Sequence, residues 1–286
     1  MSEEYKKGKG MIRGIPHDTI EQSLPILAVF VAILVAVGGI VEIVPAFYLD
    51  DSEPAVEGVR PLTPLELEGF AIYRREGCFL CHSQMIRPFR DEKERYGHFS
   101  LAVESGYDHN FVWGSKRTGP DVARLGEKYT DAWHVQHMRK PRSVVPESVM
   151  PNYVWLEETV LDTSRTAKRM QVLKSMNVPY SNDDIANFAV DIKAQAAVDD
   201  GDGEDDLRAR YERKAWGSVN EGDDTIVTWT DSFEPTELNV RAFDGDASDV
   251  TELDALIAYL QQLGTHVHFE EGVDYYHDKF GQPYRK

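Results

Sequence analysis

The chain has two cysteines in 286 residues, and they stand three apart in Cys78-Phe-Leu-Cys81-His82, with a histidine directly after the second. Three chemistries suit such a pattern. A C-x-x-C pair can cycle between dithiol and disulfide when a helix N-terminus lowers one thiol pKa, usually within a βαβ unit. Two cysteines and two histidines can close a tetrahedral zinc site, and His134 and His137, one helical turn apart, would complete it. C-x-x-C-H is also the attachment signature of a covalent c-type haem. There Cys78 and Cys81 form thioethers, and His82 binds the iron as proximal ligand. The motif follows a helical pattern instead of opening one, and no parallel-sheet pattern surrounds it, which weighs against the dithiol. Zinc and haem stay open.

A haem used for electron transfer needs a sixth ligand, commonly a methionine, whose thioether favours Fe(II) and raises the potential. The chain has seven methionines. Met1 and Met11 precede a long apolar segment, and Met85 is too near His82 to reach across a macrocycle. Met138 falls in a helix beside His134 and His137, and Met170 and Met176 in another, where a thioether serves as packing filler. Met150 differs: it stands in the proline-flanked loop VVPESVMPNY, which can hold a thioether rigidly, and is the expected distal ligand. His82 in turn needs an acceptor on Nδ1–H to fix its tautomer. A carbonyl from a rigid turn would serve, and Thr118-Gly119-Pro120-Asp121 is such a turn.

These groups have to be positioned by helices. Thr63, Pro64 and Glu66 form a capping-box start for PLELEGFAIYRREG, which ends at Gly77, immediately before Cys78. TELDALIAYLQQLG (251–264) has Thr251 as cap and Leu253, Leu256, Ile257, Leu260 and Leu263 along one stripe. YTDAWHVQHMRK (129–140) is a shorter helix ended by Pro141, and helical patterns recur across 162–180 and 181–198. DDGDGEDD (199–206) holds six acids in eight residues and reads as a solvated, mobile loop; DTIVTWTD (224–231) alternates like a strand.

Upstream, no Asp, Glu, Lys or Arg lies between Glu21 and Glu42, an aliphatic interval long enough to cross a bilayer. Lys6, Lys7, Lys9 and Arg13 precede it, and Glu42, Asp50, Asp51 and Glu53 follow, so the N-terminus is expected inside and the remainder exported. The run exceeds a usual signal-peptide core, and its one small-x-small site, Ala36-Val37-Gly38, lies inside it, which favours an uncleaved anchor. The expected organisation is mainly α: a cytoplasmic N-terminus (1–21), a transmembrane helix (22–45), a linker (46–63), a helical domain (64–265) with an acidic insertion at about 199–237, and a tail (266–286). With 31 Lys and Arg against 49 Asp and Glu, a net charge of −18 excludes nucleic acid as a partner. His266-Val-His268 reads as an exposed polar pair, and Glu42 as a contact to a neighbouring subunit or an interface marker.

The order helix, C-x-x-C-H, T-G-P-D, M-P, terminal helix resembles class I cytochromes c, in which the proline carbonyl meets the ligand histidine and the first and last helices cross. That likeness places Gly69 at the crossing, against the Tyr259/Leu260 side of the last helix. The chain departs from compact members in the long stretch 83–117 between His82 and the T-G-P turn. GCFLCHSQMIRPFR, WGSKRTGPDVARLG and PRSVVPESVMPNYVWL, with VEIVPAFY at the outer end of the anchor, are together similar to the membrane-anchored mono-haem subunit II of cbb3-type cytochrome c oxidases. The likeness covers roughly 17–165 and 238–265. It implies a class I cytochrome c-like domain that relays electrons but reduces no oxygen itself. The implied partners are a haem-copper catalytic subunit, a dihaem cytochrome c subunit or soluble cytochrome c as donor, and the lipid of a bacterial inner membrane. It implies one covalent haem c and a calcium ion at the interface with the catalytic subunit, with Ser115 as donor from this chain. Arg87 and Arg117 are candidates to pair with propionates, and 83–117, too polar and aromatic for core, is expected to pack on the catalytic subunit. An anchored cytochrome of another complex, such as nitric oxide reductase, and a zinc-bound structural module are the rival readings.

Overall fold

The computed structural model describes residues 11–12, 15–46, 59–198, 203–212, 238–267 and 269. The chain divides into two units, 1–52 and 53–286. In the first, β1 (Met11–Ile12) pairs antiparallel with β2 (Ile15–Pro16), followed by α1 (His17–Gln22) and α2 (Leu24–Ala46). The apolar run folds as a single helix, long and apolar enough to cross a membrane, with its side chains exposed within this unit. Twenty-three residues rise about 35 Å at roughly 1.5 Å each, enough to span a hydrocarbon core of about 30 Å.

The second unit is helical throughout its described residues: α3 (Pro64–Arg75), α4 (Arg90–Tyr96), α5 (Asp131–Arg139), α6 (Trp155–Glu158), α7 (Thr166–Ser175), α8 (Asn182–Gln195), α9 (Glu204–Tyr211) and α10 (Glu252–Gln262). The capping box expected at α3 is formed. Thr63 Oγ1 accepts from the Glu66 amide at 3.2 Å, and Glu66 returns an oxygen to the Thr63 amide at 2.9 Å. Buried Arg60 adds a fork onto the same carboxylate, with both N···O distances 2.7 Å. Thr251 and Asp254 form the matching box at α10.

α3 and α10 cross as the resemblance implied. A Cβ built on Gly69 would stand 1.9 Å from the Ala255 carbonyl oxygen and 2.7 Å from Tyr259 Cβ, so only glycine lets the two backbones approach this closely. Phe70 and Tyr73 flank the contact, with ring centroids 5.4 and 5.5 Å from that of Tyr259. Every residue of α10 is buried, which places this helix at the centre of the core. Arg75 clasps Glu252 at the helix ends, with distances of 2.7 and 2.5 Å.

Three expectations change. Half of the acidic stretch opens α9 instead of a loop: Glu204, Asp205 and Asp206 occupy the first turn, where carboxylates complement the helix dipole, while Leu207 and Tyr211 bury one face. Arg210 of α9 ion-pairs with Asp191 of α8. The segment 83–117 is partly core, because Ile86, Phe99, Val103 and Val112 are buried, while Phe89, Phe111 and Trp113 stay exposed. His266 is buried, not exposed. It lines a cavity of about 40 Å³ with Arg60, Gln84, Asp108 and Arg124, and burial holds its pKa down at about 3. His268 and the strand expected at 224–231 lie outside the described residues.

Candidate haem site

α3 ends at Arg75, and Gly77 takes the left-handed conformation (φ 72°) that turns the chain out of the helix. Cys78–Leu80 then forms one 3₁₀ turn. The Cys78 carbonyl accepts from both the Cys81 amide (3.1 Å) and the His82 amide (2.9 Å), which folds the histidine back beside the cysteines. Both thiols are free. Burial, reinforced by the Glu76 charge, pushes Cys78 up to about 12, so it stays a thiol at neutral pH. A redox dithiol needs a low-pKa attacking thiolate, and this turn after a helix provides the reverse.

His82 Nδ1 lies 2.9 Å from the Pro120 carbonyl oxygen, the acceptor expected from the sequence. That bond places the proton on Nδ1 and leaves the Nε2 lone pair available. The turn is held against the attachment loop by Gly119 N–H donating to the Cys81 carbonyl at 3.0 Å and Val122 N–H to the Ser83 carbonyl at 2.9 Å. A Cβ on Gly119 would fall 2.3 Å from His82 Cε1 and 2.7 Å from Nδ1. The imidazole therefore lies flat on a residue that has no side chain.

Met150 is half-buried and packs against the main hydrophobic core, as Cys78 and Phe79 do. Its loop is pinned where Arg142 Nε donates to the Ser148 carbonyl (2.9 Å), Ser148 Oγ accepts from the Met150 amide (3.2 Å), and Tyr153 N–H donates to the Met138 carbonyl (2.8 Å). Burial raises the Tyr153 pKa, and the nearby Cys78 and Cys81 raise it further. The other methionines behave as filler or surface: Met138 and Met170 are buried in the main core and Met176 is exposed.

His134 and His137 do not join the cysteines. Among the described residues no group of three or more His, Cys, Asp or Glu side chains is arranged to hold a metal ion, so the zinc module finds no ligand set. His134 is buried in α5 with neither ring nitrogen bonded, and burial holds it down at about 4. His137 stacks on Trp133 at 4.5 Å; burial first, and then neighbouring His82, lower it to about 4. Its buried Nδ1 has no partner, an orphaned donor or acceptor beside His82.

Sequence reasoning missed the polar lattice beneath His82. Tyr259 of α10 donates to Gln84 Oε1 at 2.9 Å, and Gln84 N–H donates to the Trp113 carbonyl at 2.7 Å. Arg117 binds Ser83 through Nε, and Met85, Glu92 and Asp121 through Nη2. Hydrogen bonds from Arg117 and Arg87 hold Glu92 at about 2. Arg87 remains more than half exposed. Ser115 is exposed on the bend before Arg117.

A family model described as cytochrome c oxidase, mono-haem subunit/FixO, matches residues 17–267. The chain belongs to that family. A comparison with curated proteins found no match. As a member, the chain is the mono-haem subunit of a cytochrome c oxidase, and it has a catalytic subunit as partner. That separates it from the anchored cytochrome of nitric oxide reductase. The residues present suit a single haem: a cysteine pair and histidine in one turn, an acceptor for Nδ1, and a cradle at Gly119 that a side chain would fill.

Proposed function

We propose that the chain relays electrons, one at a time, through a haem attached covalently at Cys78 and Cys81, to the catalytic subunit where oxygen is reduced and protons are pumped. The observation that carries this reading is the 2.9 Å contact between His82 Nδ1 and the Pro120 carbonyl beside the C-x-x-C turn. When bound, the haem supplies a one-electron Fe(III)/Fe(II) couple. Cys78 and Cys81 would hold it covalently, and His82 Nε2 and the Met150 thioether would be its iron ligands, the soft thioether favouring the reduced state. Pro120 would keep the His82 proton on Nδ1.

The apolar helix α2 anchors the chain once through the bacterial inner membrane, with the N-terminus cytoplasmic and the haem domain periplasmic, as Lys6, Lys7, Lys9 and Arg13 direct. A dihaem cytochrome c subunit or a soluble cytochrome c would be the donor. Exposed Phe89, Phe111 and Trp113 would rest on the catalytic subunit, and Ser115 would lend one oxygen to a calcium ion held mainly by that partner.

The test is a reduced-minus-oxidised spectrum of membranes carrying the tagged chain, followed by purification in mild detergent. A c-type α band that disappears in Cys78→Ser/Cys81→Ser, with co-purification of a haem-copper subunit, is expected. A wild-type chain with no covalent haem would refute the proposal.

A further inference from the structure

The lattice beneath His82 converges on two side chains that follow the ligand pair in sequence. Asp121 comes directly after Pro120, and Ser83 directly after His82. Asp121 Oδ2 accepts from Ser83 Oγ at 2.6 Å, from the Met85 amide at 3.1 Å and from Arg117 Nη2 at 3.2 Å, while Oδ1 accepts from the Ala123 amide at 2.8 Å. Arg117 spans the same gap. Its Nε donates to Ser83 Oγ at 2.6 Å, and its Nη2 to the Met85 carbonyl at 2.9 Å and to Glu92 Oε2 at 2.8 Å. The Asp121 side chain is 0% exposed. Burying a charge this completely is costly unless it is paired and hydrogen-bonded, and here every bond goes to a segment that fixes either His82 or Pro120. Ordinary loop closure is already supplied by the two backbone bonds, from Gly119 to Cys81 and from Val122 to Ser83. The charged pair adds stiffness at one place, the separation between the imidazole and its acceptor.

We infer that Arg117 and Asp121 are positioning residues that set the length of the His82 Nδ1–H bond to Pro120, and through it the potential of the haem; the inference rests on the haem reading above. A short bond to a carbonyl makes the imidazole a stronger donor to iron and favours Fe(III), so it holds the potential down. Releasing the clamp lengthens the bond and raises the potential. A bare charge effect runs the other way. Removing the Arg117 cation, and leaving Glu92 and Asp121 less compensated, favours Fe(III) and lowers the potential.

The sign of the shift therefore decides. The full chain, haem-loaded in detergent, is titrated potentiometrically as wild type, Arg117→Gln and Arg117→Lys, with electron paramagnetic resonance of the ferric form. The expected result is an upward shift in midpoint for Arg117→Gln and a smaller upward shift for Arg117→Lys. Altered low-spin g values should accompany both, since a lysine ammonium keeps the charge but cannot fork onto Ser83 and Glu92 together. A downward or absent shift in Arg117→Gln overturns the inference. Where that variant takes up no haem, an unchanged midpoint in Arg117→Lys overturns it. Absence of covalent haem from the wild type would instead overturn the functional reading, so the two failures are distinct.

Discussion

Gly69→Ala tests the crossing on which the domain is built. The added methyl would stand 1.9 Å from the Ala255 carbonyl oxygen, whereas ordinary contact begins at about 3.4 Å, so α3 and α10 must part by roughly 1.5 Å. The obstacle is backbone at the buried centre of α10, and no rotamer change can relieve it. Two effects compete. Alanine favours the helical state over glycine by about 0.8–1 kcal/mol, whereas overpacking a close-packed contact costs roughly 1–3 kcal/mol and occasionally more. With the clash at the upper end, the net loss is about 2 kcal/mol. For a chain of this size that corresponds to a fall in melting temperature of roughly 4–8 °C. The shift also reaches the site, because Tyr259, whose Cβ lies 2.7 Å from the new methyl, carries the hydroxyl that holds Gln84 in the attachment loop. The assay is far-UV circular dichroism melting of the haem-loaded chain in detergent, beside wild type. An unchanged or raised melting temperature would mean that helix propensity outweighs the clash, and would refute the close approach.

Three further outcomes are expected. Gly119→Ala places a methyl 2.3 Å from His82 Cε1, so the ring must shift by about 1 Å; the ferric form should show a weakened axial field or high-spin character, and an unaltered ferric spectrum would contradict the cradle. Met150→Ala should lower the midpoint potential and open the sixth position to added imidazole, whereas unchanged potential and ligand affinity would reassign the distal ligand. Asp108, which lines the buried cavity, is held up at about 7 by burial, against a hydrogen bond from Ser105. Its native pKa stands above the unfolded value, so between about pH 4 and 7 the native state retains a proton that the unfolded chain releases. Its contribution to stability thus declines as pH rises through that window. Asp108→Asn should abolish that part of the slope in urea titrations at pH 4.5 and 7.5, and an identical slope would disprove the shift.

The sequence made legible whatever depends on short spacing. The C-x-x-C-H turn, the capping boxes at Thr63 and Thr251 and the apolar anchor each need only a few neighbouring residues, and local geometry allows few ways to arrange them. Gly69 and the Pro120 acceptor, 38 positions from His82, were legible through the resemblance to class I cytochromes c, which implies the helix crossing and the proline carbonyl. Other bonds between residues far apart in sequence were not legible. Tyr259 and Gln84 are 175 positions apart, and Arg117 and Ser83 are 34 apart; nothing in either local pattern names its partner. His266 was misread because an H-x-H pair near a terminus looks solvated, whereas its neighbour Val267 packs with Val59 and Val103 and draws the imidazole inside. The acidic stretch was misread for a related reason. Charge density alone suggested a loop, but Leu207 and Tyr211, four apart, give the segment an apolar stripe and fold it onto α8.

The long segment between His82 and the T-G-P turn follows from the same geometry. An added loop that merely decorated the surface would leave the ligand pair untouched. This one leaves the attachment turn through Ser83 and Gln84, buries Ile86 and Phe99 in a small core of its own with Ala123, and returns through Trp113 and Arg117 to bind the residues where it began. Its α4 contributes Glu92, the carboxylate that anchors both Arg87 and Arg117. Segment 83–117 thus closes a ring of hydrogen bonds around His82, while presenting Phe89, Phe111 and Trp113 to the outside. A force applied to that exposed face by a docked subunit would reach His82 through Arg117 and Ser83, two side chains away. On the haem reading, docking on that face would act on the potential through this one guanidinium, and the Arg117 variants should shift the midpoint of the isolated chain and of the assembled oxidase by different amounts.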